Sequence, residues 1–315
     1  MFISTLGLGK KDKEYLESLC KKEIRHCQIN ELTQEEYSEI EAVFSYGYDL
    51  PIEKVMKMKN LKWIHIGQSG MEYLPFRYLA EEEISVTNSK GINASNISEY
   101  VLSYMLSHVR KNDTYRQMQR KRIWDADTRM NELRDSTVGI LGLGMAGKEV
   151  AKRAAAFDMH VLTMDIFDIS YPGVERHYSP DHLNELLPLC DYIVLCLPLT
   201  KETEHIINRE SLKYVKRGSM LINSGRGPLI DTDAVLDALK KGIFSKVILD
   251  VFDREPLESD SQLWDFDENL IITPHIAGDH FLNYSKRMIE ILAANLNLWP
   301  DKEKLINRVN VNSLI

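Results

Sequence analysis

The chain has 315 residues, more than one hydrophobic core usually serves, so two domains are expected. Hydrophobic residues make up 44% and charged residues 27%, the balance of a soluble globular protein. A formal charge of −8, from 39 basic and 47 acidic residues, argues against a nucleic-acid partner, and no apolar run reaches the length of a membrane span.

Met1–Leu6 reads as a first strand, too short for a signal core and followed, not preceded, by its lysines. Apolar runs then recur at 24–29, 42–46, 62–66 and 84–87. Helix-like stretches separate them: Lys11–Lys22, Thr33–Ile40, Pro51–Lys57 and Met71–Ala80. Thr33 to Glu36 has the spacing of a capping box. This alternation predicts a parallel sheet covered by helices on both faces. A long helix is predicted from about Ala94 to Lys121, with Ser95 or Ser98 as its cap and Ile97, Val101, Tyr104, Met105 and Val109 on its apolar face. It can join two domains, and the polar stretch 122–136 reads as a connection.

A second α/β series follows, with strands at Val138–Leu141, His160–Met164, Tyr192–Leu197, Ser219–Ile222, Lys246–Leu249 and Leu270–Ile272. Several are continuous apolar runs, as in sheets covered on both faces. From Leu282 to Trp299 the pattern is helical, and a tail packed back on the first domain would make that domain discontinuous. Cys20, Cys27, Cys190 and Cys196 form no C-x-x-C pair and have no histidine cluster beside them. They read as reduced thiols of a cytoplasmic protein, and no metal site is expected.

The strand at 138–141 runs into Gly142-Leu143-Gly144-Met145-Ala146-Gly147, and a helical stretch Lys148–Phe157 comes next. In that context the three glycines read as a dinucleotide loop. Gly142 permits a tight turn, Gly144 lets backbone approach a pyrophosphate, and Gly147 lets helix and strand pack closely. The next strand ends in Asp165, 18 residues beyond Gly147. A carboxylate there accepts from both ribose hydroxyls of NAD and repels the 2′-phosphate of NADP. A methyltransferase using S-adenosylmethionine can share loop and acid, so the remaining residues must decide. Gly7-Leu8-Gly9-Lys10 lacks phosphate-loop spacing and reads as a plain turn.

Three later strands each deliver a chemically capable group at their carboxyl ends, where ligands of open α/β sheets bind. Asn223-Ser224-Gly225-Arg226-Gly227 follows the first, Asp250 to Leu257 the second, and Thr273-Pro274-His275 the third. Reduction of a 2-oxo acid needs a hydride at the carbonyl carbon and a proton at its oxygen. His275 can supply and retake that proton. Glu255 beside it would favour the imidazolium. Arg226 can fork onto a substrate carboxylate and polarise the carbonyl. Asp250 either meets the nicotinamide or caps the next turn.

At these residues the chain resembles the D-isomer-specific 2-hydroxyacid dehydrogenase family, over nearly its whole length. The carriers are GILGLGMAGKEVAKRAAAF at 139–157, LPLTKET at 197–203, and the blocks NSGRG, DVFDREPL and TPHIAG. The resemblance implies two doubly wound α/β domains, a Rossmann NAD-binding domain (98–281) inserted into a flavodoxin-like catalytic domain (1–97 plus 282–315). It implies D-stereospecific transfer, with Arg226 binding substrate, His275 as acid/base and Glu255 tuning it. The cofactor is then lined by Gly142, Gly144, Met145, Ala146, Gly147, Asp165, Leu197, Pro198, Thr203, Ser224, Gly225, Asp250 and Gly278. Family members usually dimerise through the cofactor domains and close by a hinge.

The N-terminal match is looser. Ser69 and Gly70 occupy a loop whose backbone N–H groups hold the substrate carboxylate in the family, while Met71 and Glu72 replace its common Val and Asp. Leu133–Thr137 lacks a glycine usual in the family, which predicts a local turn difference. Formate dehydrogenases carry Gln where this chain has Glu255. Glyoxylate, hydroxypyruvate, a phosphorylated acid and branched acids stay open, with Tyr46 and Tyr48 near the pocket. The alternative class is an NAD(H)-sensing regulator of the same fold.

Overall fold

The computed structural model describes residues 1–71, 73–266, 269–278 and 283–314. The chain begins β1 (Phe2–Ser4), α1 (Lys10–Cys20), β2 (Ile24–His26), α2 (Gln34–Glu39), β3 (Ala42–Ser45) and α3 (Ile52–Val55). It continues β4 (Trp63–Ile66), α4 (Phe76–Glu81), β5 (Ser85–Asn88), α5 (Ala94–Val109) and α6 (Asn112–Arg120). Then come β6 (Thr137–Leu141), α7 (Met145–Ala156), β7 (His160–Met164), β8 (Arg176–Tyr178), α8 (Leu183–Leu186) and β9 (Tyr192–Leu195). The last elements are β10 (Ser219–Asn223), α9 (Thr232–Lys240), β11 (Phe244–Leu249), β12 (Leu270–Ile272) and α10 (Tyr284–Leu298).

Two compact units result, one of Met1–Ile92 with His280–Ile315 and the other of Asn93–Asp279. The first holds a five-stranded parallel sheet in the order β2-β1-β3-β4-β5. That is the flavodoxin-like winding. Side chains alternate across it. Ile3, Val43, Ile64 and Val86 pack with Tyr37, Val55 and Leu79 of α2, α3 and α4. Phe2, Phe44 and Trp63 pack on the other face with Leu16 of α1 and Met288, Leu292 and Leu296 of α10. Thr33 closes a reciprocal capping box with Glu36 at the start of α2.

The second unit holds a seven-stranded parallel sheet in the order β12-β11-β10-β9-β6-β7-β8. Strand order reverses between β6 and β9, the Rossmann switch point. One face is covered by α5 and α7, through Val101, Met105, Val150 and Ala154. The other is covered by α8 and α9, through Leu186, Val235 and Leu239. The chain is thus a Rossmann domain inserted into a flavodoxin-like one.

Two sequence expectations are corrected. The helix predicted over 94–121 is two helices, because Lys111 takes a left-handed backbone (φ 50°). Its apolar stripe ends at Val109, and α6 buries no residue, so nothing holds the two halves in line. Ser95 and Ser98 do not cap: the helix starts at Ala94, and the Ser98 hydroxyl donates to the Ser95 carbonyl (2.6 Å). A strand with no apolar run in the sequence is added, β8, a polar edge strand of three residues. The predicted start of the last helix, Leu282, lies outside the described residues.

Candidate active site

The glycine loop leaves β6 at the switch point. Gly142 has φ +100°, and a Cβ there would stand 2.7 Å from the Cys196 carbonyl carbon. A Cβ on Gly147 would stand 1.9 Å from the Gly142 carbonyl oxygen, so only glycine lets α7 sit this close to the strand. Around Gly144 there is open space instead. Gly144 is the N-cap of the 12-residue α7 and supplies no side-chain cap. The first amides of that helix therefore present an anion site. Met145 is half exposed and Ala146 half buried beside them.

Asp165 follows β7. One carboxylate oxygen accepts from the Leu143 amide (2.7 Å), the other from the Phe167 amide (3.2 Å). The acid is thereby tied to the glycine loop with lone pairs left for ribose hydroxyls. Beyond β9, Leu197 is buried, and the Thr203 hydroxyl donates to the Pro198 carbonyl (2.7 Å). Beyond β10, Ser224 donates to the Leu195 carbonyl (3.4 Å), and Gly225 fits against the Leu197 carbonyl. These segments form one continuous rim around the ends of β6, β7, β9 and β10. An open helix N-terminus, a fixed acid and a lined rim fit a nicotinamide dinucleotide. Gly278, three residues beyond His275, lies against the Asn93 side chain.

The neighbouring strands β10, β11 and β12 bring Arg226, Glu255 and His275 together. Buried Asn223 shapes the first loop: its carbonyl accepts from the Gly225 amide (3.1 Å) and its NH2 donates to the Arg226 carbonyl (2.9 Å). Arg226 is exposed. Gly227 lies against the backbone of the second loop, where a Cβ would be 2.0 Å from the Phe252 carbonyl carbon. One Glu255 oxygen accepts from the Phe252 amide (3.0 Å), and the other pairs with His275 Nδ1 at 2.7 Å. A carboxylate accepts only, so Nδ1 carries the proton and Nε2 is left to exchange one. Burial works to raise the Glu255 carboxyl. The His275 hydrogen bond, the Phe252 amide and the charges of His275 and Arg226 outweigh it and hold the group below the ordinary carboxylate range.

His275 itself has a left-handed backbone (φ 56°), uncommon for a residue with a Cβ. Its amide donates to the Asp250 and Thr273 carbonyls (2.8 and 3.0 Å). The buried Asp250 carboxylate accepts from the Thr273 hydroxyl (2.5 Å), the Ile276 amide (2.8 Å) and the Ala277 amide (2.8 Å). Of the two roles the sequence left open for Asp250, this is the capping one, and it fixes the turn that carries His275. Tyr100, from α5, bonds Thr273 on its other side (2.6 Å), a contact no sequence pattern announces.

In the other unit, Ser69 and Gly70 follow β4. The Asn88 side chain donates to the Ser69 carbonyl (2.9 Å). Among the described residues neither the Ser69 nor the Gly70 amide has a protein acceptor. Tyr46 and Tyr48 stack (6.0 Å between centroids), and Gln68 donates to the Tyr46 carbonyl (2.8 Å). Glu72 lies outside the described residues.

Residues 102–277 match the family described as D-isomer specific 2-hydroxyacid dehydrogenase, NAD binding domain. The chain belongs to this family. A glyoxylate reductase of Thermofilum pendens is 34% identical over 75% of this dehydrogenase and 71% of its own length. A D-isomer specific 2-hydroxyacid dehydrogenase from Xanthobacter autotrophicus Py2, solved with NADPH and MES, superposes with a TM-score of 0.81 at 25% identity, over 99% of this chain and 98% of its own. D-lactate dehydrogenase from Aquifex aeolicus, solved with NAD and lactic acid, gives 0.73 at 27%, each chain being covered to 98%. The protein is thus an oxidoreductase of the D-2-hydroxyacid dehydrogenase family with a nicotinamide-nucleotide domain. No described helix is long and apolar enough to cross a membrane.

Proposed function

We propose that the protein interconverts a small 2-oxo acid and its D-2-hydroxy acid with NAD(H). The observation that carries this reading is the His275–Glu255 pair at 2.7 Å, beside Arg226 at the strand ends of a Rossmann sheet. In reduction, His275 gives its Nε2 proton to the carbonyl oxygen as the hydride reaches the carbonyl carbon. In oxidation it takes the proton back. Bound nicotinamide supplies or accepts the hydride. Glu255 holds the ring by Nδ1 and stabilises the charge that appears on it. Arg226 forks onto the substrate carboxylate. In the other unit, the Ser69 and Gly70 amides are read as donors to a substrate carboxylate, since neither has a protein acceptor among the described residues.

NAD is preferred over NADP in this reading. The Asp165 carboxylate would repel a 2′-phosphate, and the following Ile166, Phe167 and Asp168 provide no cation for one. The dehydrogenase is also proposed to be a homodimer through its cofactor domain. Supporting this, Trp124 is 96% exposed just beyond α6, a helix that buries nothing in its own chain.

The test follows NADH and NADPH absorbance with glyoxylate, hydroxypyruvate, pyruvate, phosphohydroxypyruvate and branched 2-oxo acids. Turnover is expected with NADH, weaker with NADPH, and His275→Ala should lower kcat by about 10³-fold, within the usual range for acid–base catalysis. Tight NADH binding without turnover of any acid would instead favour a sensing role.

A further inference from the structure

His65 lies at the centre of β4 and is completely buried. Nothing in the catalytic reading uses it. Its ring is 6.3 Å from that of Trp63, and its cross-strand partner on β5 is Thr87. Burying an imidazole among apolar side chains is costly unless both nitrogens are satisfied. Here both are: Nδ1 is 2.9 Å from the Thr87 hydroxyl and Nε2 is 3.4 Å from the Ser89 hydroxyl.

The Trp63 indole N–H, which can only donate, donates to Thr87 Oγ1 (2.9 Å). The Thr87 and Ser89 hydroxyls can each donate or accept, so the ring keeps both hydrogen bonds in either neutral tautomer. The ring is held neutral between two hydroxyls.

Ser89 is where this network meets the loop after β4. Its amide donates to the carbonyls of Ile66 (2.9 Å) and Gln68 (3.1 Å), and its carbonyl accepts from the Ser69 hydroxyl (3.5 Å). The adjoining Asn88 side chain holds the Ser69 carbonyl. Ser89 is itself fully buried, so its hydroxyl cannot turn to water for another partner. The direction in which the Ser69 and Gly70 amides point is therefore set by Asn88 and Ser89, and the position of Ser89 by His65.

We propose that His65 is a positioning residue for substrate binding, acting through Ser89 on the Ser69–Gly70 amides. The inference rests on the reading that these amides receive the substrate carboxylate. The imidazole contributes a hydrogen bond beneath the loop.

The test is steady-state kinetics of the full chain, wild type beside His65→Leu, Ser89→Ala and His65→Gln, with folding checked by circular dichroism. His65→Leu and Ser89→Ala should each raise KM for the preferred 2-oxo acid about ten-fold, the cost of one misdirected hydrogen bond, with kcat and KM for NADH within about two-fold of wild type. His65→Gln, whose amide can donate to Ser89, should recover most of that KM. A merely structural role would lower kcat and thermal stability and raise both KM values together, without rescue by Gln. Unchanged KM in folded Ser89→Ala would overturn the proposal even where His65→Leu fails to fold. Wild-type protein that turns over none of the acids would remove the underlying reading itself, a result distinct from a wild type that is active beside unaffected variants.

Discussion

His65 and His275 share a side chain and differ in everything around it. His275 is half exposed, with Nδ1 turned to a carboxylate. His65 is sealed between strands, and burial pushes its imidazole down to about 3. The consequence for stability has a definite sign. In the unfolded chain His65 titrates near 6.5, so below that pH unfolding gains a proton and the native state loses ground until the folded pKa is reached. Above 6.5 the contribution is complete. Between pH 7.5 and 5 this single residue should cost about 2 kcal/mol, at roughly 1.4 kcal/mol per pH unit below the unfolded pKa. Urea unfolding of wild type and His65→Gln at both pH values isolates the effect: the variant should lose about that much less on acidification. Equal losses would mean that His65 is not held neutral. Only one of these histidines was legible in the sequence. His275 stands at a strand end after proline, beside other candidate groups, whereas the burial of His65 depends on Thr87 and Ser89, more than 20 residues away.

Elements, more than single residues, decide where the proposed catalytic groups stand. The turn after β12 is short, left-handed at His275, and bonded on its inner side to Asp250 at the end of β11. Asp250→Ala would leave the Ile276 and Ala277 amides and the Thr273 hydroxyl without their acceptor. The His275 ring would lose its fixed aim, and a misplacement of about 1 Å costs about 100-fold in rate. We therefore expect kcat to fall by about that factor while the Ile276 and Ala277 amides exchange faster with deuterium. A kcat loss with those amides still protected would show that Asp250 acts on the cofactor instead. The strands carrying these turns were readable because β10 to β12 are mainly apolar runs of three to six residues. β8 was not, since its Arg-His-Tyr has no apolar alternation and pairs along one side only. The break at Lys111 escaped for a related reason: no glycine or proline marks it, and only the loss of a buried stripe after Val109 explains it.

At the scale of the whole molecule, the α/β alternation identified two wound sheets because every strand of both is parallel and every crossover needs a covering element. What the alternation could not reveal is which surface remains for a second chain. The segment after α6 is the surface we propose for it. Ile123, Trp124 and Met130 expose 52, 96 and 42% of their surface, on a stretch the sequence reading treated as a plain connection. Beside it lies a groove of about 1240 Å³ lined by Lys111, Arg116, Arg120, Arg134 and Lys246 with Asp113, Glu132 and Asp191. An exposed tryptophan is the residue type that most often anchors an interface, and a mixed-charge groove offers partners to an identical surface turned through a two-fold axis. Replacing the indole with a carboxylate should place an unpaired charge in the centre of such an interface. Light scattering coupled to size exclusion should therefore give the mass of two chains for wild type and, at the same micromolar concentration, of one chain for Trp124→Glu, with far-UV circular dichroism unchanged. A wild type that elutes as a single chain would remove the dimer altogether. A dimer that survives Trp124→Glu would move the interface to another face of the cofactor domain and leave Trp124 without a role in assembly.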